Sequence, residues 1–307
     1  MRENNNRTKP QSTNRVTKPE STQFKVTSET ELLVFLLAKI TQKSRNDVKV
    51  LLRDKQIFVD GKPITQFNHP LKPEQIVEVK WKKGPEEQKY RGLNIVFEDQ
   101  YIIVIEKQAG VLSIATEKQK DNTAYSILSG HVKKQSPSNR IFVVHRLDRE
   151  TSGLMMFAKS EKVQKLLQES WNATIEERTY LAVVEGYVQK KEDTIISYLV
   201  ESKALIVYSN KNSEVGQKAI THYEVLKSNK NYSLLKVNLE TGRKNQIRVH
   251  AKDIGHPVVG DNKYGATQDP IKRLGLHAWI LSFKHPITGK QLSFETEMPT
   301  KFVNLFG

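Results

Sequence analysis

Asp148 sits in the middle of a polar turn, His145-Arg146-Leu147-Asp148-Arg149-Glu150-Thr151-Ser152-Gly153, with an apolar run on each side. Ile141-Phe142-Val143-Val144 before it and Leu154-Met155-Met156-Phe157-Ala158 after it read as short buried strands. A turn mounted on two core strands holds a carboxylate rigidly at the edge of a cleft. A carboxylate so placed can attack an electron-poor carbon or stabilise positive charge developing there. Asp, Arg, Thr, Ser and Gly also make up ordinary strand connections. The turn alone leaves both readings open.

Two further stretches carry reactive side chains. Tyr180 lies in Glu177-Arg178-Thr179-Tyr180-Leu181-Ala182-Val183-Val184-Glu185-Gly186, which reads as a strand. Its ring can stack on a base and its hydroxyl can join a proton transfer, although a plain strand aromatic has the same pattern. Glu240-Thr241-Gly242-Arg243-Lys244-Asn245-Gln246-Ile247-Arg248-Val249-His250 leads into a helix over about 245–254. There Ile247, Ala251 and Ile254 share the core face, which turns Arg248 away from it. The eight histidines show no HExxH or HxH spacing, so no metal is expected. No GxGxxG or P-loop run occurs, so no nucleotide cofactor is expected either. Glycoside hydrolysis usually needs two carboxylates, and nothing marks a partner for Asp148.

The elements that must position these residues divide the chain. Residues 1–22 are polar and basic and read as a disordered tail. Residues 23–82 read as a small domain. Leu32, Leu33, Leu36 and Ile40 have helical spacing, and Ser44-Arg45-Asn46-Asp47 has the order of a capping box before a second helix. Val48, Leu51 and Leu52 form that helix's apolar stripe, and Arg45, Lys49 and Arg53 recur every fourth residue on another face. Gln56–Val59, an Asp60-Gly61 turn and alternating Val77, Val79 and Trp81 complete the domain. Residues 83–90 read as a linker. From 91 to 307 strands dominate: 93–97, 102–106, 141–146, 154–158, 180–185, 194–200, 222–226, 233–239 and 279–283, with helices at 163–171 and near 245–254. The expected fold is α+β: a large mixed, mostly antiparallel sheet with flanking helices, preceded by a small α/β domain.

Forty-nine Lys and Arg against 34 Asp and Glu give +15, and residues 1–90 carry +7 of that excess. This balance suits a polyanionic partner. Zero cysteines remove disulfides and thiolate metal sites. No apolar run approaches the ~20 residues needed to span a bilayer, and the N-terminus lacks a secretory core. A cytoplasmic location without membrane attachment is expected. Nothing in the sequence marks an obligate protein partner, and a monomer is the default.

The Asp148 turn resembles the HRLDxxTSG loop of the RluA-type RNA pseudouridine synthases. Three more segments follow that family's order: Leu93–Gly110, the Tyr180 strand, and the Arg243–His250 run, which is similar to RxHQIRxH. Gly255-His256-Pro257, Gly260-Asp261 and Tyr264-Gly265 extend the likeness, which covers roughly 32–300. The resemblance implies cofactor-free isomerisation of uridine to pseudouridine. It implies catalytic roles for Asp148, Tyr180 and Arg248, with Arg248 the cation that keeps Asp148 ionised. It further implies substrate contacts from Arg146, His145, Thr151, Arg243, Asn245, Gln246 and His250, with Arg146 filling the space left by a flipped base. The family usually has His where this chain has Asn245, which cannot become a cation. Ser44, Arg45, Lys49, Leu51 and Leu52, followed by Val59-Asp60-Gly61, resemble the RNA-binding domain named after small-subunit ribosomal protein four. RNA contacts are implied there for Arg45, Lys49 and Arg53. That domain points to large-subunit ribosomal RNA as substrate, with transfer RNA as the alternative. The rival class is an inactive RNA-binding or ribosome-assembly protein.

Overall fold

The computed structural model describes residues 21–54, 56–81, 90–117, 119–212 and 214–307. The described residues form two compact units, 21–81 and 90–307. Of the tail expected over 1–22, all but Ser21 and Thr22 lies outside the described residues, as does all of the 83–90 linker except Tyr90.

The small unit runs β1 (Ser21–Lys25), β2 (Thr30–Glu31), α1 (Leu32–Lys39), α2 (Arg45–Arg53), β3 (Ile57–Val59), β4 (Lys62–Pro63), β5 (Pro70–Leu71) and β6 (Ile76–Lys80). Ser21 and Thr22 belong to it and not to a tail, because β1 pairs with β6 along its whole length and Thr22 Oγ1 accepts from Trp81 Nε1 at 2.7 Å. The Ser44 capping box forms as read. Ser44 Oγ accepts from Asp47 N at 3.2 Å, and Asp47 Oδ2 accepts from Ser44 N at 3.1 Å. These bonds satisfy helix-start donors that would otherwise lack partners. Val48, Leu51 and Leu52 are buried against α1, while Arg45, Lys49 and Arg53 stay exposed. Asp60 and Gly61 both have positive φ, 48° and 78°, the geometry of a two-residue hairpin turn. Each fully buried aliphatic side chain in this core contributes about 1.5–3 kcal/mol.

The large unit opens with β7 (Leu93–Glu98), β8 (Ile102–Lys107) and α3 (Ala124–Gln135). Next come β9 (Phe142–Val143), β10 (Ser152–Ala158), α4 (Glu161–Glu169), α5 (Trp171–Thr174) and β11 (Ile175–Glu185). It continues through β12 (Glu192–Glu201), β13 (Val207–Asn210), β14 (Gln217–Ser228), β15 (Tyr232–Leu239) and α6 (Gln246–Asp253). β16 (Leu276–Lys284), β17 (Gln291–Glu295) and α7 (Thr300–Val303) close it. The sheet order is β13-β12-β14-β15-β11-β16-β10-β8-β7, with β17 on β16 and β9 on β10. All named pairings in it are antiparallel except β10 with β16.

That one parallel contact is unusually close. Gly153 has φ +108°, and a Cβ there would lie 2.1 Å from the Ala278 carbonyl oxygen. Only glycine fits this register, which brings the start of β10, and so the turn before it, against β16.

The strand expected over 141–146 is cut to Phe142–Val143. Beyond it the backbone is held by side chains: Gln164 Nε2 donates to Val143 O at 2.8 Å, and Gln168 Nε2 to Val143 O and Val144 O at 3.2 Å each. Tyr90 belongs to the large unit and not to a linker. It bridges to Leu93, and its hydroxyl lies 2.8 Å from His131 Nδ1. Helix α3 and strands β13 and β17 were not read from the sequence.

Candidate active site

The turn between Val144 and Ser152 is pinned from below. Ser113 Oγ donates to Leu147 O at 2.6 Å and accepts from Leu147 N at 3.1 Å. Lys107 is fully buried, and its ammonium donates to Arg149 O, Gln108 O and Val111 O at 3.1, 3.1 and 2.8 Å. Burial pushes its pKa down to about 8, against the opposing pull of Glu150 and Asp148. Gly110 N donates to Arg149 O at 2.8 Å, and Thr151 N donates to Asp148 O at 3.2 Å. With Leu147 buried, Asp148 has a fixed base from which its half-buried carboxylate enters a pocket.

The other side of the pocket comes from the end of β15 and the start of α6. Asn245 caps α6 in the left-handed region, φ 56° and ψ 19°, a conformation Asn tolerates better than most residues. One turn later Arg248 reaches across. Its Nη1 donates to Asp148 Oδ2 and to Asn245 Oδ1, each at 3.2 Å. Its Nε and Nη2 donate to Asp261 Oδ2 and Oδ1 at 2.6 and 2.7 Å. The guanidinium lies 4.9 Å from the centre of the Tyr264 ring, whose hydroxyl accepts from Asn245 Nδ2 at 2.9 Å. Burial presses the Arg248 pKa down, but the Asp261 hydrogen bonds and charge, reinforced by Asp148, carry it above the ordinary arginine value. Arg248 is therefore a permanent cation facing Asp148.

Tyr180 lines the same pocket from β11, opposite Val237 of β15 and Ala278 of β16. Burial holds its hydroxyl above the ordinary phenol pKa; Arg178 opposes the shift and Asp148 adds to it. It stays protonated at neutral pH. The pocket, about 330 Å³, also has Arg146, Thr151, Arg243, Lys244 and Asn245 in its lining. Asp148 is its single carboxylate among the described residues.

Of three more residues expected to touch substrate, Gln246 lies in the pocket lining with its amide already spent, and His250 and His145 are turned elsewhere. Gln246 is 2% exposed, with both ends of its amide spent: Nε2 on Ile220 O and Thr221 Oγ1, Oε1 on Thr241 Oγ1 and Arg243 N. His250 is 1% exposed between Thr221 Oγ1 and Ser197 Oγ, at 2.8 and 2.9 Å. Both strap α6 onto β14, and His250 also ties it to β12. His145 Nε2 accepts from Met156 N at 3.0 Å, and the ring faces Trp171 rather than the Asp148 pocket. The residue missed was Asp261, which the sequence marked only as part of a Gly-Asp pair; its role is set by Arg248, 13 positions away. No group of three or more His, Cys, Asp or Glu among the described residues is arranged to hold a metal. None of their helices is long and apolar enough to cross a membrane.

Burial, aided by the Arg178 charge, pushes His145 down to about 4, and burial with Arg273 does the same for His277. The unfolded histidines bind protons below about 6.5. Between that value and about 4 the unfolded chain therefore binds more protons, so stability present above pH 6.5 is lost as pH falls. Tm should drop across this window, with a shallower slope in His277→Gln. Equal slopes in variant and parent would refute the assignment.

A mixed sheet with an Asp–Arg pair set at the mouth of its central strands is the pseudouridine synthase fold. The solved structure of human RNA pseudouridylate synthase domain containing 1 has this fold, with TM-score 0.55 and 24% identity over 71% of this chain and 86% of that one. The family model for RNA pseudouridylate synthase matches residues 101–253. The uncharacterized RNA pseudouridine synthase MG209 homolog of Mycoplasma pneumoniae is 34% identical over 91% of this chain and 92% of its own. The ribosomal large subunit pseudouridine synthase D of Vibrio cholerae is 32% identical over 86% of each. The chain belongs to the RluA-type RNA pseudouridine synthases and is an RNA pseudouridine synthase.

Proposed function

We propose that this enzyme modifies large-subunit ribosomal RNA, with Asp148, Tyr180 and Arg248 as its catalytic residues. The observation that carries the assignment is the Arg248 Nη1 to Asp148 Oδ2 contact of 3.2 Å, in a pocket shared with Tyr180. The reaction breaks the bond between ribose C1′ and uracil N1 and joins C1′ to uracil C5. The C5 proton is lost and N1 gains one, so no oxidant or energy source enters. Asp148 either attacks C1′ or stabilises the positive charge that develops there. Arg248, held by Asp261, sets a fixed positive charge against Asp148 and aims its carboxylate. Tyr180 offers a ring edge to the uracil and a protonated hydroxyl within reach of the released base.

The target base must leave its stack to enter, at a cost of a few kcal/mol. Arg146 is exposed at the pocket mouth, with a planar cation suited to the vacated space. Thr151, Arg243 and Asn245 line the pocket as further substrate contacts. In the small unit, the exposed Arg45, Lys49 and Arg53 of α2 would follow RNA phosphates without reading sequence. The ribosomal substrate is supported by the likeness to large-subunit synthases, which extends over most of both chains. Pseudouridine mapping of total RNA from cells with and without the gene tests it. The expected result is one or more sites lost from large-subunit rRNA on deletion. Loss confined to transfer RNA would overturn the ribosomal assignment.

A further inference from the structure

Beside the Asp148 pocket lies a second concavity of about 410 Å³, and the two share Gly242 and Arg243 in their walls. Its floor holds Arg178, on the same face of β11 as Tyr180 and two residues before it. The guanidinium is fixed on three sides. It stacks 5.6 Å from the centre of the Trp171 ring, and its Nη2 donates to Leu239 O and Glu240 O at 3.2 Å each. Nη1 points at Gly242, where a Cβ would come within 2.6 Å of it.

This cation is half-buried and no carboxylate among the described residues pairs with it; burial presses its pKa below the ordinary arginine value. The acid in the same wall, Glu240, faces His222 Nε2 at 3.4 Å instead. The neighbouring His145 is kept neutral, so it neither balances nor repels strongly. Arg243 likewise has no carboxylate partner among the described residues; its Nε donates to Lys218 O at 3.1 Å. A neutral Met or Gln could pack on Trp171 without the desolvation cost of an unpaired charge. An orientated guanidinium with an unspent nitrogen beside a glycine instead suits a phosphate oxygen.

We propose that this second concavity is a phosphate subsite, in which Arg178 with Arg243 binds the phosphodiester of an RNA nucleotide adjacent to the target uridine. This rests on the reading of the Asp148 pocket as the uridine site. An RNA chain leaving that pocket past Gly242 and Arg243 meets Arg178 next.

The test is filter binding to ribosomal RNA purified from cells lacking the gene, over a series of KCl concentrations. Arg178→Met should bind about tenfold more weakly, the loss of one charged hydrogen-bonding contact. Its slope of log Kd against log[KCl] should be smaller by about one, as for any lost phosphate contact. Arg178→Lys should restore most of the slope. Gly242→Ala should weaken binding with the net charge unchanged, and it carries the test together with Arg243→Met should Arg178→Met fail to fold. Equal salt slopes in parent, Arg178→Met and Arg243→Met would overturn the subsite. Turnover is scored separately: if the parent forms no pseudouridine in this RNA, the ribosomal reading fails, while the binding slopes still decide the subsite.

Discussion

Asp148→Asn should lower pseudouridine formation by roughly 10⁴-fold or more, the scale seen when a group essential to covalent chemistry is removed, while RNA affinity stays within a few fold. Asn has nearly the shape of Asp and retains a carbonyl oxygen to accept from Arg248 Nη1, so the turn held by Ser113 and Lys107 has no cause to move. What disappears is the single negative charge in the pocket lining, and with it both ways of assisting C1′. Arg146, Arg243, Lys244 and Arg248 remain, so the pocket becomes more positive and RNA binding is not lost. Release of tritium from RNA carrying uridine labelled at C5 reads the reaction directly, because that hydrogen must leave. Parental turnover in Asp148→Asn would remove the residue from the mechanism and send the search to Tyr180.

Asp261→Ala should produce the largest loss of stability among the site residues. The Asp261 side chain is 1% exposed and satisfies two of the three guanidinium nitrogens of Arg248, itself mostly buried. Removing one partner of a buried, bidentate pair strands the other charge, at about 3–5 kcal/mol. For a unit of this size that corresponds to a fall in Tm of roughly 10 °C. Activity should fall with it even where the protein is folded. A guanidinium freed from Asp261 can turn its fork onto Asp148 and neutralise the carboxylate it now touches through one nitrogen. In Arg248→Met the penalty of Asp261→Ala should shrink, since no cation is left stranded, and the double-mutant cycle measures that coupling. A Tm within about 2 °C of the parent in Asp261→Ala would mean the pair carries little stability.

Asn245 has a physical explanation in this frame. It occupies a left-handed cap, accepts from Arg248 and donates to Tyr264, so its amide links the cation to the aromatic beneath it. None of these contacts requires a charge at this position.

Local order was legible in the sequence because it depends on near neighbours. The Ser44 capping box, the Asp60-Gly61 hairpin, the apolar stripe of α2 and the core face of α6 all form within a few residues of their signals. Helix α3 was hidden because its buried positions, Ala124, Leu128, His131 and Val132, include a histidine, and its polar residues blur the period. β13 escaped because four residues carry too little apolar alternation, whereas β17 does alternate, with Leu292 and Phe294 turned to the core, so its signal was present in the sequence. Within the site, the resemblance to the pseudouridine synthases implied that Asp148, Tyr180 and Arg248 belong together, and all three line one pocket. The tertiary structure decided which way each neighbour faces. Gln246 lines the pocket yet spends its amide on β14, while His250 is buried against β14 and β12. Arg248 takes its main partner from Asp261 and not from within its own helix. Such choices are made by contacts between segments up to a hundred residues apart, where chain spacing carries no information about direction.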